Sequence, residues 1–445
     1  MNKSSVIGKI SVTGDLILKS PLLIGDGAGE TADNFRDVHV LKNRQGKPFI
    51  PGTSLCGVLR EWLENIAPDS VKEIFGDNDD KDGMQSSIQL DDIALADYEV
   101  ISRDGVRIDG ITGAGVEGGK YDFEVVERGA KGSLKLLINL RGCHSLDKIS
   151  NVVGRLLQKL QDGIRLGAMT SKGFGLTGVE NLTADLYDFR DKKDVAAWLT
   201  DKTPARKILP CADKISANEN DFVVDAEFIF NSSFIIRDYD ATEKLKETTV
   251  TAATLKSRKD FVIPGTSLKG ILRHRAEYIF DRLGLDKNLL ENLMGNSTPD
   301  KKIKSRFIVA ESYVSPKDFS EVVHTRNKID RFTGGTLQGT LFTTKPAYQK
   351  NFDAPTLKIH FEIKDAKDFE AGLALFLLRD LWIGNVAVGG EKSIGRGTVR
   401  GQSAEINFKG KTFTLDMNGK VVDGDAAELE NLSSALKNFS GGDGK

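Results

Sequence analysis

One passage is written in this chain twice. Phe49-Ile-Pro-Gly-Thr-Ser-Leu-Cys-Gly-Val-Leu-Arg60 returns as Val262-Ile-Pro-Gly-Thr-Ser-Leu-Lys-Gly-Ile-Leu-Arg273. Two further marks keep the same order: Ile108-Asp109-Gly110 recurs as Ile329-Asp330-Arg331, and Gly167-Ala-Met-Thr-Ser-Lys-Gly-Phe-Gly175 as Gly389-Gly-Glu-Lys-Ser-Ile-Gly-Arg-Gly397. The offsets are 213, 221 and 222 residues. That spacing lies far outside the solenoid range and matches the duplication of a whole domain. The chain is therefore two lobes of one design, fused.

The 445 residues suit two or three domains, each with its own core. We expect lobe one over 1–200, a linker over 201–219 marked by Pro204 and Pro210, lobe two over 220–402, and an ending over 403–445. That ending reads as a hairpin, Glu405 to Val422, then a short helix, Ala426 to Asn438, and a frayed Ser440-Gly-Gly-Asp-Gly-Lys. No apolar run approaches the ~18 residues of a membrane span, and the start reads as a strand rather than a signal peptide, so a cytoplasmic, membrane-free protein is expected. Cys56, Cys143 and Cys211 are scattered and imply neither disulfides nor a zinc site. The net charge of −2 argues at first against a polyanion partner. Basic residues gathered inside the repeated motifs outweigh that total.

Each lobe shows the same succession. Lys9 to Leu18 alternates as a strand and runs into a glycine-rich loop, Gly25 to Asp33. Pro-Gly-Thr-Ser then opens a helix with Thr53 or Ser54 as the expected N-cap and Leu55, Val58, Leu59 and Trp62 as its buried stripe. Free N–H groups, hydroxyls and a cation one turn on make such a helix start a seat for phosphate. Thr53, Ser54 and Arg60 are the candidates in lobe one, and Thr266, Ser267, Lys269 and Arg273 in lobe two.

A second helix in each lobe, Leu156 to Leu166 and Leu373 to Trp382, leads into the repeated glycine loop. Glycines there allow close backbone approach to a ligand, with Ser171 and Lys172, or Lys392, Ser393 and Arg396, beside them. Gly173-Phe-Gly-Leu-Thr-Gly178 matches a dinucleotide fingerprint but follows a helix and enters a strand, the reverse of the required order. The acidic Asp77–Gly83 stretch resembles a calcium loop yet has Gln89 where the bidentate Glu belongs, so a solvated loop is the better reading.

Between these motifs lies an irregular, glycine-rich excursion that reads as a projecting hairpin: Arg107 to Gly115, with Thr112 at its tip, and Arg326 to Gly335. The second gathers Arg326, Lys328, Arg331 and Phe332, cations interleaved with an aromatic as single-stranded RNA contacts require.

Pro-Gly-Thr-Ser-Leu-x-Gly-x-Leu-Arg, the Ile-Asp-Arg-x-Thr-Gly stretch and the closing Gly-x-x-x-Ser-x-Gly-x-Gly loop together resemble the RAMP superfamily of CRISPR-associated proteins, over residues 5 to about 180 and 220 to about 402. Within it the chain most resembles backbone subunits of type III effector complexes, in a fused, III-D-like form. The resemblance implies an α+β chain: a tandem duplication of a modified ferredoxin-like (RRM-like) βαββαβ domain with thumb-like hairpin insertions. It also implies a guide RNA, a complementary target RNA and other effector subunits as partners, with thumbs that kink the duplex.

In that family an aspartate shortly before the Pro-Gly motif can cut target RNA. Asp37 stands at the matching spacing, with His39 where the family has proline, so Asp33 and Asp26 remain reserve candidates. The resemblance implies an aspartate-dependent endoribonuclease, assisted by Mg2+ or another divalent metal held at Asp37. Lobe two has Val250 at that spacing and reads as a binder only. Two alternatives stay open: a non-catalytic guide-binding subunit, and a stand-alone repeat-processing ribonuclease using His39, His144, His274 or His324.

Overall fold

The computed structural model describes residues 5–27, 38–77, 83–211, 218–238, 243–245, 248–298 and 301–439. Asp33 and Asp37, most of the acidic loop, part of the linker and the final six residues lie outside them. The chain divides into two compact units, one of Met1–Arg107, Gly115–Thr170 and Phe174–Ser216, the other of Ile108–Ala114, Ser171–Gly173 and Ala217–Lys445.

In the first unit the strand Val6–Leu18 runs between Lys131–Arg141 and Leu176–Asp188, antiparallel to both. Its inward residues Ile10, Val12, Leu16 and Leu18 are fully buried, the period-two pattern of a one-faced sheet. Ile88–Leu90 and Ile93–Ala96 pair on the far side of Lys131–Arg141. The motif helix Gly52–Ile66 lays Leu55, Leu59 and Leu63 on this sheet, and the second helix Leu146–Asp162 adds Ile149, Val153, Leu156 and Leu160 to the same core. Val58 and Trp62, read as part of the stripe, are half-buried at its border.

The second unit repeats the plan. Phe222–Phe230 lies between Leu357–Ile363 and Val399–Phe408, again antiparallel to both, and Phe307–Val309 flanks Leu357–Ile363. Its motif helix Gly265–Leu283 buries Leu268, Leu272, Ala276 and Phe280, and its second helix Asp368–Trp382 is buried on nearly every side. The reason for that all-round burial is a further helix, Ala426–Lys437: a methyl on Gly372 would sit 2.2 Å from the Leu432 carbonyl oxygen, and Phe369 stacks on Phe439 at 4.2 Å. Lys411–Leu415 and Val421–Asp423 extend the sheet edge beyond Val399–Phe408. Both lobes thus have one connectivity, with the first strand central. Among the described residues no helix is long and apolar enough to cross a membrane.

Candidate nucleic-acid interface

The repeated glycine loops have one backbone shape. Gly167, Met169, Gly173 and Gly175 have φ of 78, 56, 95 and 77°, and Gly389, Glu391, Gly395 and Gly397 have φ of 88, 58, 84 and 76°. The last glycine of each loop is forced: a Cβ on Gly175 would stand 1.9 Å from the Leu166 carbonyl oxygen, and one on Gly397 1.9 Å from that of Val388. A left-handed turn pressed against backbone admits no other residue.

What fills the two loops differs. In lobe one Phe174 is buried edge-on against Phe123, which stacks beside Tyr121, so the loop is held to the thumb strand Gly115–Val126 by aromatic packing. In lobe two the same position is Arg396, 4% exposed, whose guanidinium donates to Glu391, Ser233 Oγ and Tyr348 OH. Glu391 also pairs with Arg326 on the thumb strand His324–Arg326, and with Arg237 at 3.4 Å. Burial pushes the Glu391 carboxyl up, but hydrogen bonds and charge from Arg326 and Arg396 prevail and hold it below the usual glutamate value. Read from sequence as RNA contacts, Arg396 and Arg326 are instead committed to this internal cluster. Glu391 and Arg237 escaped sequence reasoning; the available signal was one acid set among the basic residues of a glycine loop.

The motif helices correct another expectation. Pro51 and Pro264 occupy the N-cap positions, and neither helix start has a side-chain cap from the hydroxyl residues. Thr53, Ser54, Thr266 and Ser267 lie inside the first turns. In lobe one the Gly52 N–H donates to Asp92 Oδ1 at 2.8 Å, so a carboxylate of the chain itself sits at the positive helix end where a phosphate was expected. Arg60 and Arg273 share one arrangement: each pairs with a glutamate four residues on, Glu64 and Glu277. Arg273 also donates to the Gly295 carbonyl. An exposed i,i+4 pair such as Arg60–Glu64 is worth only about 0.3–0.5 kcal/mol, whereas Arg273 is half-buried.

Lys269 is 6% exposed and donates to Ser305 Oγ at 2.7 Å; burial pulls its ammonium down to about 7. Burial also lowers Lys172, which with half-buried Ser171 forms the short turn Thr170–Lys172. Lys392 and Ser393 are exposed.

The thumbs end in matching turns. Asp109 Oδ1 accepts from the N–H of Ile111 and of Thr112 and from Thr112 Oγ1, while the Asp109 N–H donates to the Ala114 carbonyl. Asp330 Oδ1 accepts from the N–H of Phe332 and of Thr333, and its own N–H donates to the Gly335 carbonyl. These donors, the Thr112 and Thr333 N–H foremost, hold both carboxyls below the usual aspartate value. Gly113 and Gly334 close the turns at φ 68 and 67°. The outcome is an apolar side chain held in water: Ile111 is 97% exposed and Phe332 100%. Arg107 is exposed on the first thumb and Arg331 on the second.

The two ends of the segment that carries Asp33 and Asp37 are tied together beside the thumb. Asp26 N–H donates to the His39 carbonyl, Gly25 bridges Val40, and Val38 bridges Phe123. In lobe two, Thr251 N–H donates to the Thr343 carbonyl and Ala252 pairs with Thr344; Val250, which the sequence spacing sets against Asp37, is fully buried. Asp26 is exposed. Among the described residues no cluster of three or more His, Cys, Asp or Glu side chains is placed to hold a metal ion. The metal expectation stays with Asp37. The four histidines occupy separate elements, and three of them engage other groups: His39 faces Glu124 at 3.5 Å, buried His144 accepts from the Arg141 N–H, and His324 stacks on Tyr348.

A family model described as the RAMP superfamily matches residues 15–179 and 232–400. The two matched stretches coincide with the repeated lobes and together cover most of the chain. No match to an individual curated protein accompanies it.

Proposed function

The chain belongs to the RAMP superfamily, which makes it a CRISPR-associated RNA-binding subunit, and from that premise we propose that it is a backbone subunit of a type III effector complex. In this reading both lobes are modified ferredoxin-like domains, a reading supported by the central position of Val6–Leu18 and of Phe222–Phe230 in their sheets. The subunit holds a guide RNA and its complementary target. The observation that carries the proposal is the pair of matching thumb tips, each a stiff Asp–Thr–Gly turn that holds one apolar residue, Ile111 or Phe332, fully in solvent. Exposing a large apolar side chain at the end of a ribbon serves no core. It suits a wedge driven between stacked bases, where unstacking costs a few kcal/mol per step and kinks the strand.

Target cleavage is assigned to lobe one. Asp37, with Asp33 and Asp26 as alternatives, takes the proton of a 2′-hydroxyl on the splayed nucleotide. The 2′-oxygen then attacks the adjacent phosphorus, and the 5′-oxygen leaves and takes a proton from water, giving a 2′,3′-cyclic phosphate and a 5′-hydroxyl. Lobe two, with Val250 buried at the corresponding place, binds without cutting. The test is an end-labelled complementary RNA presented to the assembled complex: Asp37→Ala removes one product band and leaves binding intact. Persistence of that band in Asp37→Ala, Asp33→Ala and Asp26→Ala alike would leave lobe one a binder.

A further inference from the structure

The two thumb tips are superimposable as turns and unlike as chemistry. Asp109 and Asp330, Thr112 and Thr333, and Gly113 and Gly334 occupy equal places, so Ile111 and Phe332 are held in the same way. Ile111 offers only bulk. Phe332 offers a flat π face, 100% exposed, which no side chain among the described residues covers.

Charge divides the hairpins in the same direction. Residues 100–126 carry three cationic side chains against five acidic ones, whereas residues 319–345 carry four cationic against two acidic. Of the second set, Arg326 is bound to Glu391, but Lys328, just before the tip turn, and Arg331, within it, are exposed. The tip is braced from below: Ile329 bridges Thr336, and the Leu337 N–H donates to the Lys328 carbonyl. A ring that is rigidly presented, unburied and preceded in the chain by two solvated cations complements a nucleobase and its phosphates. A ring whose role was packing would be covered, as Phe174, Phe230 and Phe234 are.

We infer that Phe332 is a nucleobase-stacking residue, with Lys328 and Arg331 holding the adjoining phosphates, and that Ile111 on the acidic first thumb lacks this role. The inference rests on the RNA-binding reading above and divides labour within it: thumb two grips a base, thumb one only parts the stack.

The experiment uses the full chain and a single-stranded RNA oligonucleotide, with filter binding over a salt series. Phe332→Leu keeps the bulk and loses the π face, and a side chain wholly in solvent leaves the fold intact. It should weaken binding about tenfold with the salt slope unchanged, since stacking neutralises no phosphate. Ile111→Leu should stay within about twofold, and Arg331→Ala should lower the salt slope by about 0.7. In the Phe332→Trp chain, emission should be quenched on RNA binding. If wild-type protein binds RNA but Phe332→Leu binds within twofold of it, or the Phe332→Trp emission does not change, the stacking role falls and the RNA-binding reading stands. If wild-type protein fails to bind at any salt concentration, both fall.

Discussion

The glycine loops of the two lobes share a backbone and disagree about what should hold it. Lobe one ties its loop to its thumb strand with rings, Phe174 against Phe123. Lobe two uses charge at the same place, with Arg396 and Arg326 meeting on Glu391. The comparison separates two jobs that one motif performs. Glycines at positive φ dictate where the chain goes, and the residues between them are free to change chemistry so long as their partners change with them. Phe174 needs Phe123, and Arg396 needs Glu391, Ser233 and Tyr348. The apolar solution is indifferent to pH and salt, whereas the ionic one is not.

The strongest way to break this picture is to attack what the lobes share. Gly175→Ala and Gly397→Ala each force a methyl to within 1.9 Å of a carbonyl oxygen at φ near 77°. Each should cost about 3 kcal/mol, lowering the melting temperature of its own unit by roughly 6–12 °C in calorimetry. Markedly unequal losses would mean that the loops are not equivalent.

A smaller effect sharpens the difference. Glu391→Gln withdraws the charge facing buried Arg396 and should destabilise the second unit by about 2 kcal/mol. Because the folded carboxyl lies below its ordinary 4.5, its stabilisation is present above that value and is lost as pH falls through the folded value. Melting curves of the wild type should therefore show an acid-sensitive transition below about pH 4.5 that Glu391→Gln reduces. Phe174→Leu, at about 1 kcal/mol, should leave the pH profile as it was.

The smallest changes belong to the repeated arginines. Arg60→Ala should alter stability by less than about 0.5 kcal/mol, because its only described ion pair is exposed. Arg273→Ala should cost slightly more through its bond to the Gly295 carbonyl. Each should lower the salt slope of RNA binding by about 0.7. An unchanged slope in both would remove these arginines from the interface.

The duplication, the motif helices, the thumbs and the loop glycines were legible in the sequence because each is written locally, in residues a few positions apart. The N-cap was not. Asp92 reaches Gly52 from forty residues downstream, and no local rule pairs them, so the hydroxyls of Thr53 and Ser54 were the natural choice on spacing alone. The burial of Arg396 is illegible for a similar reason: it depends on Glu391 folding back at φ 58° and on Ser233 and Tyr348 arriving from distant strands. Charge inside a glycine loop is ambiguous until its long-range partners are known. The catalytic assignment was legible only as spacing, with His39 where the family has proline.

The helix Ala426–Lys437 gives the two halves different timetables. The backbone that caps Gly154 on the second helix of lobe one, the Leu209 carbonyl against it and the Cys211 N–H bonded to its carbonyl, has been synthesised by residue 211. Lobe two cannot close the face around Gly372 until Leu432 and Leu436, both buried in its core, have left the ribosome. At roughly 5–20 residues per second, the interval is on the order of 10–40 s. For that long the nascent chain carries one finished lobe and one unfinished, and the second helix of the latter, complete at Trp382, shows its apolar flank over the last part of the interval.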